Sequence, residues 1–438
     1  MENIRVEAIS KETIKPSVPT PEHLKSFRFS FLDQLSPIVY TPLILFYPKK
    51  DGCVLLPRLK DSLSETLTKL YPLAGRIRGN MTIECDDQGI LYLEARVNSS
   101  VADFLCAPSV ASLGGFLPLK TTCSQPIHEI VQVAIQVTSF ECGGIGIGMC
   151  FFHKIMDAAS IATFLNCWAA ATISSDADTN AVSPDLDTAP TLFPANVLLA
   201  SHSSTSLATE GGNNVLKRFT FDLPAIEILK SRAKSEDIPN PSSVEVVSVF
   251  ISKHALLAFN AVNTGDHEGP SSLSHTVNMR SRSIPPLPKG SIGNLCGLAG
   301  YEFHAQDELH VLVSRLRQAI SGINDGSVKF LQSEIGQMMV YEVVTSSAPL
   351  KERNKYMFNS WCKLGFNEVD FGWGAPVWVA LSWDTDQTSS HRNQMTLLDG
   401  KAGEIEAWLV LDEREMVILE QDQEFLSFGS LNKSIFLT

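Results

Sequence analysis

The 438-residue sequence contains no uninterrupted run of about 18 apolar residues, which is the minimum for a membrane-spanning helix. Its first residues, MENIRVEAISKETIKPS, are polar and lack the apolar core of a signal peptide. We therefore expect a cytoplasmic protein that makes no use of a membrane. Hydrophobic residues make up 44% and charged residues 19%, a composition typical of a folded chain of about two or three domains.

Cysteine pairs at redox or metal-binding spacing are also missing. The chain has nine cysteines, an odd number, and no CxxC motif. Most of them lie inside apolar runs, so we expect reduced core residues and no bound metal. Their positions are Cys53, Cys85, Cys106, Cys123, Cys142, Cys150, Cys167, Cys296 and Cys362.

The chain has few basic residues. The balance of 35 basic against 48 acidic residues gives a net charge of −13, and no lysine- or arginine-rich run is present. This balance argues against a nucleic-acid partner. A small anionic co-substrate remains compatible, since a few well-placed basic groups can hold phosphates in an unfavourable mean field.

The motifs of several large enzyme classes are absent. Gly290-Ser291-Ile292-Gly293 has the wrong spacing for the GxSxG elbow of a serine nucleophile. The glycines between 143 and 148 do not form GxGxxG, and there is neither a Walker sequence nor HExxH. Covalent serine chemistry, nicotinamide chemistry, phosphoryl transfer and zinc hydrolysis are therefore not expected.

The most informative segment that is present joins a predicted strand to a predicted helix. Residues 145–151 alternate apolar side chains with glycine or cysteine, so one face of the strand is nearly bare. Such a face is typical of close approach by a ligand or by another backbone. Apolar residues at helical spacing between Ile161 and Trp168 predict a helix over 158–170.

His153 and Asp157 lie at this junction and have three interpretations. A metal pair lacks a third ligand nearby. In a structural interpretation, Asp157 caps the helix and His153 is a satisfied core histidine. In a catalytic interpretation, His153 opens onto a cavity and acts as a general base near neutral pH. The four-residue spacing does not choose among them.

A second unusual segment lies near the C terminus. In Asp370-Phe371-Gly372-Trp373-Gly374 two glycines flank a tryptophan, which favours a structural turn that locks the ring against backbone. Upstream, Asn359 and Trp361 share a face if they lie on a strand, and an amide and an indole N–H together suit an oxyanion. A buried tryptophan with a satisfied N–H is the equally weighted alternative.

Composition also suggests where the chain divides. Residues 174–190 and 201–213 are rich in Ser, Thr, Asp, Pro and Gly and resemble linker. We therefore predict an N-terminal domain of residues 1–190, a crossover linker of residues 191–215 and a C-terminal domain of residues 216–438. Residues 283–290 form a proline-stiffened loop that cannot be a central strand.

The chain resembles the BAHD family of plant acyl-CoA-dependent acyltransferases, in the branch that contains an alkaloid O-acetyltransferase. The segments that carry the resemblance are SFLDQLSPIVYTPLILFYP (30–48), YPLAGRI (71–77), HKIMDAAS (153–160), NMRSR with PPLPKGSIGN (278–294) and NSWCKLGFNEVDFGWG (359–374). The resemblance implies an α/β class protein with the two-domain coenzyme-A-dependent acyltransferase fold. In that fold, mixed sheets are flanked by helices, a channel runs between the domains, and a segment near 365–390 joins the sheet of the first domain.

The resemblance also implies roles for particular residues. His153 would be the general base, Asp157 would pair with Arg280 as structural support, and Trp361 with Asn359 would bind the oxyanion. Asn359 stands where the family usually has threonine. The remaining implied positions are acceptor contacts at Thr41, Leu43 and Leu45, coenzyme A contacts at Ser243 and Lys253, and structural residues Asp370, Gly372, Trp373 and Gly374.

The implied reaction moves an acyl group, most simply acetyl, from acyl-CoA to a hydroxyl of an alkaloid or terpenoid. A ternary complex without an acyl-enzyme is expected, in a monomer with no permanently bound cofactor. Two alternatives stay open from the residues alone, a non-catalytic ligand-binding relative and a hydrolase that uses the same cleft.

Overall fold

The structure is a computed structural model that describes residues 4–49, 57–173, 182–200, 213–263, 270–345, 354–385 and 392–435. Its strands are β1 (Val6–Ile14), β2 (Ser26–Arg28), β3 (Tyr40–Tyr47), β4 (Arg76–Arg78), β5 (Thr82–Glu84), β6 (Ile90–Val97), β7 (Val133–Phe140), β8 (Ile145–Phe152), β9 (Asn214–Phe221), β10 (Ser271–Asn278), β11 (Cys296–Phe303), β12 (Lys355–Ser360), β13 (Trp378–Ala380), β14 (Gln394–Asp399), β15 (Ile405–Asp412) and β16 (Gly429–Leu431).

The α-helices follow in the same order along the chain. They are α1 (Phe31–Leu35), α2 (Arg58–Lys69), α3 (Val101–Cys106), α4 (Ala158–Ile173), α5 (Thr188–Leu192), α6 (Leu223–Ala233), α7 (Ser243–Val262), α8 (Leu309–Gly322), α9 (Asp325–Gln332), α10 (Glu334–Thr345), α11 (Glu413–Leu419) and α12 (Gln423–Phe428).

Two mixed sheets organise the molecule. The N-terminal sheet has the order β1-β6-β7-β8-β3-β13, with a parallel pair only at β6 and β7. The C-terminal sheet has the order β11-β10-β12-β14-β15-β9-β16, with parallel pairing on both sides of β12. A small sheet of β2, β5 and β4 completes the described strands. The mixed α/β fold that the sequence predicts is confirmed.

One strand crosses between the two halves of the chain. β13 belongs to the C-terminal half in sequence but pairs antiparallel with β3 of the N-terminal sheet, from Trp378 opposite Phe46 to Ala380 opposite Ile44. This strand falls inside the 365–390 segment. The N-terminal sheet therefore contains one strand that arrives from the far end of the sequence.

The glycine-bare face of β8 is covered by protein backbone. A Cβ atom built on Gly148 would lie 1.8 Å from the carbonyl oxygen of Phe116, which ends the 3-10 turn Val110–Phe116. On the opposite face, Phe151 packs edge-on against Phe164 of α4 at 5.5 Å. The glycine pattern suggests close approach by either a ligand or another backbone, and at Gly148 the structure shows another backbone.

The C-terminal sheet has one face covered by helices. Its other face is open along β10 and β12, whereas both faces are buried along β15. Along β10, Leu273, His275 and Val277 are buried and alternate with polar residues of greater exposure. The covered face packs against α6, α7 and α8 in a single apolar cluster. The opposite face carries Ser272, Ser274, Thr276 and Asn278 toward the rest of the molecule.

The linker prediction at residues 174–190 is wrong for its second part. Asp185 exchanges backbone hydrogen bonds with the 290–292 loop, and Ala189 of α5 is fully buried. The first residues of the predicted 191–215 linker are packed as well, with Phe193 and Leu199 fully buried. The polar composition of residues 182–190 is misleading because Asp185 also accepts a hydrogen bond from the hydroxyl of Ser291 in a second segment of the chain. Residues 174–181 and 201–212 lie outside the described ranges.

α7 is the one helix in the described ranges with the length and mean hydropathy of a membrane span. Its most apolar 18-residue stretch has a mean hydropathy of 1.3, and 67% of that stretch is buried inside the protein. Its residues contribute to the apolar cluster behind the C-terminal sheet. These features are those of a core helix.

Gly148→Ala is expected to lower the free energy of unfolding by about 3 kcal/mol or more, at the upper end of the range for overpacking. The added methyl group meets a backbone oxygen, which cannot turn away as a side chain can. Urea unfolding of the purified proteins measures the change. Gly146→Ala is the matched control, because its nearest neighbours are ring atoms of Phe116 and Phe46 at 3.3 Å. Equal losses in the two variants would contradict this account.

Candidate active site

His153 follows β8 directly and is held by its own backbone. Its N–H donates to the carbonyl of Val39, and the N–H of Phe152 donates to the carbonyl of Gln132. The chain then turns into α4, which begins at Ala158. Part of the His153 surface stays exposed, while Lys154, Ile155 and Met156 beside it are buried.

Asn294 determines which nitrogen of His153 carries the proton. The Nδ2 amide group of Asn294 donates to Oδ1 of Asp33 at 2.9 Å and to the backbone oxygen of His153 at 2.8 Å. Its Oδ1 therefore faces Nδ1 of His153, at 3.0 Å. Since a carbonyl oxygen only accepts, Nδ1 carries the hydrogen and Nε2 keeps its lone pair.

Asp33 anchors this amide from the N-terminal half. Its Oδ1 accepts the backbone N–H of Asn294 at 2.8 Å in addition to the side-chain amide, and its Oδ2 accepts from the backbone and hydroxyl of Ser30. Burial raises the pKa of Asp33, and the four donors limit that rise. Beside it, the buried amine of Lys154 donates to the backbone oxygen of Gln34. Burial lowers the pKa of Lys154 to about 8.

Burial also governs the protonation of His153. The loss of solvent around the ring lowers its pKa from the ordinary histidine value, and the charge of Asp157 and the hydrogen bond of Asn294 only partly offset this. The ring is therefore uncharged at neutral pH. An uncharged imidazole with a free Nε2 is the form that accepts a proton.

Asp157 forms the ion pair with Arg280 that the sequence predicts. Nη1 of Arg280 lies 2.7 Å from Oδ2 of Asp157, and Nη2 lies 3.0 Å from Oδ1, a two-point contact between side chains that are each about 95% buried. Arg280 also donates to the backbone oxygens of Ser291 and Gly293. Burial alone would raise the pKa of Asp157, but the charge and hydrogen bonds of Arg280 and the N–H of Ser160 lower it.

The helix-cap interpretation of Asp157 holds at the same time. Oδ1 of Asp157 accepts the backbone N–H of Ser160 at 2.8 Å, the contact expected of a residue just before a helix. Oδ2 also accepts the backbone N–H of Leu295 and faces the thiol of Cys296. The carboxylate is thus fully occupied and turned to the protein interior.

Trp361 and Asn359 lie at the end of β12. The Trp361 ring is 93% buried and packs against Phe366 at 5.4 Å, while its backbone N–H donates to Leu397. Within the described residues its indole N–H has no hydrogen-bond partner, and the indole nitrogen is not fully buried. Asn359 is partly exposed on the open face of the C-terminal sheet.

The Asp370–Gly374 turn is held by hydrogen bonds within the turn and by aromatic packing. Oδ1 of Asp370 accepts the N–H groups of Gly372 and Gly374, both at 2.7 Å, and both glycines adopt a positive φ of 99°. The Trp373 ring stacks on Phe371 and meets Tyr47 of β3 edge-on. These contacts support the structural role that the sequence predicts for the turn.

The predicted substrate contacts have mixed positions. Leu43 and Leu45 of β3 are fully buried in the N-terminal core, and Thr41 is nearly so, so an acceptor contact there requires the core to open. Ser243 begins α7, and Lys253 of the same helix donates to the backbone oxygen of Asp307. α7 packs behind the C-terminal sheet, on the face opposite to Asn359. These assignments stay predictions.

Asn294 and Asp33 have no role predicted from the sequence, although both lie in the segments 278–294 and 30–48 that carry the family resemblance. No local pattern indicates their contact, since Asp33 and Asn294 are 261 residues apart. Within the described ranges, no cluster of three or more His, Cys, Asp or Glu side chains could hold a metal ion.

Comparisons with known proteins give a consistent result. A model of the Transferase family matches residues 4–426. Akuammiline synthase 2 of Alstonia scholaris is 37% identical, with 99% of each chain covered. Limonoid 7-O-acetyltransferase of Citrus sinensis is 35% identical, with 97% of this chain and 98% of the relative covered. The crystal structure of vinorine synthase superimposes with a TM-score of 0.82 at 33% identity, over 97% of this chain and 98% of that chain.

Asp157→Asn is expected to cost about 3–5 kcal/mol of unfolding free energy at neutral pH, because it leaves Arg280 buried without its counter-charge. The amide can still cap the helix through its oxygen, but its NH2 group would face the donors Arg280 and Leu295, so the variant removes the charge together with those two hydrogen bonds. The lowered pKa of Asp157 means that its contribution is present above the ordinary carboxyl pKa and fades as pH falls through the lower native value.

Urea unfolding at neutral pH and below about pH 4 measures both effects. The difference between parent and Asp157→Asn should shrink in acid. Glu227→Gln is the control, since it breaks a more exposed helix pair with Lys230, worth about 0–1 kcal/mol. A loss at position 157 no larger than the control would show that the ion pair does not stabilise the fold.

Proposed function

Because the chain belongs to the Transferase family, the BAHD family of acyltransferases, we propose that it acetylates a hydroxyl group of a bulky plant metabolite. The protein is an acyl-CoA-dependent O-acyltransferase, and its co-substrate is a coenzyme A thioester. Our proposal concerns the identity of the acyl group, the class of acceptor and the residues that perform the reaction.

The acyl and acceptor assignments are supported by the relatives. Limonoid 7-O-acetyltransferase and stemmadenine O-acetyltransferase of Catharanthus roseus, which is 34% identical, both carry acetyl transfer to oxygen in their names. We therefore propose acetyl-CoA as donor and an alkaloid or terpenoid alcohol as acceptor. A cytoplasmic monomer without membrane or metal partner is part of the same proposal, and the net charge of −13 supports the absence of a nucleic-acid partner.

In the proposed reaction His153 is the general base. Nε2 takes the proton of the acceptor hydroxyl as its oxygen attacks the thioester carbonyl, and the carbonyl becomes an oxyanion. The indole N–H of Trp361 and the amide of Asn359 donate to that oxyanion. Collapse of the intermediate breaks the carbon–sulfur bond, and the protonated His153 returns its proton to the coenzyme A sulfur. The products are the ester and free coenzyme A.

One observation carries the base assignment. The hydrogen bond from Nδ1 of His153 to Oδ1 of Asn294 leaves Nε2 as the only proton acceptor of the ring, on a residue that is partly exposed. Asp157 has no chemical part in the proposal, because both of its oxygens are occupied by Arg280, Ser160 and Leu295. The proposed contacts of Thr41, Leu43 and Leu45 with the acceptor, and of Ser243 and Lys253 with coenzyme A, rest on the resemblance alone.

His153→Ala is expected to reduce acetyl transfer at least about a hundredfold, because general base catalysis contributes roughly 10²–10⁴-fold. The assay incubates the protein with acetyl-CoA and a panel of alkaloid, terpenoid and aliphatic alcohols, and follows free thiol release. Mass spectrometry of the products separates the ester of a transferase from the acetate of a hydrolase. Absence of any thiol release by the parent would favour a non-catalytic ligand-binding protein.

His128→Ala is the matched control, since His128 is an exposed histidine on the surface of the same half of the chain. It should keep the parent rate. Unfolding curves of both variants separate lost chemistry from lost folding. If His153→Ala stays within a few-fold of the parent, His153 is not the base.

The pH profile provides a further prediction. Since burial lowers the pKa of His153, kcat/KM should fall on the acid side with an apparent pKa below 6.5, the ordinary value for histidine.

Asn294→Ala frees the ring to change tautomer and is expected to lower kcat roughly tenfold or more while KM for acetyl-CoA changes little. Steady-state kinetics from pH 5 to 9 measure both quantities. An acid limb above pH 7, or an unaltered kcat in Asn294→Ala, would contradict the proposed arrangement.

A further inference from the structure

Asn359 receives a short hydrogen bond from the neighbouring strand. The hydroxyl Oγ1 of Thr276 donates to Oδ1 of Asn359 at 2.6 Å. The two residues are register partners in the parallel pair of β10 and β12, so their side chains leave the sheet on the same face. The contact is thus built into the strand pairing.

This pair lies on the open face of the C-terminal sheet. Thr276 and Asn359 are partly exposed, while their sequence neighbours His275 and Phe358 are buried against the helices on the other face. Two residues further along β10, Asn278 accepts hydrogen bonds from the backbone N–H and Nη1 of Arg280. The open face therefore leads from Asn359 to the ion pair at the start of α4.

An amide side chain can present either a donor or an acceptor to a substrate. With Oδ1 occupied by Thr276, the Nδ2 group of Asn359 points away from that hydroxyl with two free N–H donors. Among the described residues, no hydrogen-bond acceptor for Nδ2 is present, and Nδ2 is not fully buried. The opposite orientation would aim a carbonyl oxygen at a developing negative charge, and the two would repel each other.

We propose that Thr276 is a positioning residue that orients the amide of Asn359 so that Nδ2 donates to the oxyanion of the acyl-transfer reaction. The inference rests on the proposed function and deepens it for this chain, in which an asparagine stands two residues before Trp361. A pre-oriented donor does not have to rotate as charge develops in the transition state, and this preorganisation is what makes oxyanion donors effective. Thr276 itself touches no reacting atom.

The test compares Thr276→Val with Thr276→Ser, using acetyl-CoA and the panel alcohol that the parent acetylates fastest. Valine keeps the branched shape of threonine and removes the hydroxyl, whereas serine keeps the hydroxyl. Thr276→Val should lower kcat by about tenfold or more, but by no more than the roughly 10²–10³-fold expected for loss of the oxyanion donor itself, with KM values within about twofold of the parent. Thr276→Ser should restore most of the parent kcat. Ser274→Ala, on the same face of the same strand, is the matched control and should keep the parent kcat.

A double-mutant cycle with Asn359→Ala separates positioning from a structural effect. If Thr276 acts through Asn359, Thr276→Val should cost little once Asn359 is alanine, so the two losses should not add. Fully additive losses, an unchanged kcat in Thr276→Val, or a change confined to KM would overturn the inference. An unchanged kcat in Asn359→Ala would overturn it as well, although His153 would remain the proposed base.

Different variants test the positioning role of Thr276 and the proposed function. Acetyl transfer by the parent and its loss in His153→Ala bear on the function, whereas the Thr276 variants are scored only relative to the parent in the same assay. Urea unfolding of Thr276→Val shows whether the protein is folded. A folded Thr276→Val protein with the parent kcat contradicts the positioning role without touching the transferase assignment.

Discussion

The buried ion pair between Asp157 and Arg280 is the constraint on which the site depends. It joins the start of α4 in the N-terminal half to the residue two positions after β10 in the C-terminal half. Taking both charges out of water is costly, and the structure offsets this with a two-point contact and with further partners on Ser160, Ser291, Gly293 and Leu295. Any relative shift of the two halves would leave a charge buried and unpaired. The pair therefore holds the strand-to-helix junction, and His153 with it, against the C-terminal sheet.

A second set of polar contacts across the same boundary determines what His153 can do. The amide of Asn294 has two donors, and both are taken by oxygens, one on Asp33 and one on the backbone of His153. Only its oxygen remains for the imidazole, so the tautomer of the ring follows from the geometry of the amide. Asp33 in turn is held by Ser30 at the start of α1. The free Nε2 that the proposed base requires is thus specified by residues that lie outside the histidine motif.

The electrostatics of the site suit acyl transfer without a permanent charge. Burial lowers the pKa of His153, so the ring is neutral when a hydroxyl arrives, and Asp157 neutralises Arg280 close by. The proposed oxyanion donors, the indole of Trp361 and the amide of Asn359, are also neutral. Fixed neutral dipoles stabilise negative charge that develops only in the transition state, and they do so with little reorganisation.

The sequence by itself determined the local elements, because hydrophobic periodicity and capping act over a few residues. The strand ending at Phe152, the helix starting at Ala158 and the cap at Asp157 all lie where the pattern predicts them. Family motifs added the α/β fold and the partnership of Asp157 with Arg280. Composition was misleading at residues 182–190, where Asp185 in a stretch that resembles a linker bonds to a second segment of the chain. Only the tertiary structure decided that Phe116 covers the bare face of β8, that Asn294 holds His153 and that Thr276 meets Asn359. Those contacts join residues 32, 141 and 83 positions apart, so they arise from tertiary packing and strand pairing and leave no periodic trace in the chain.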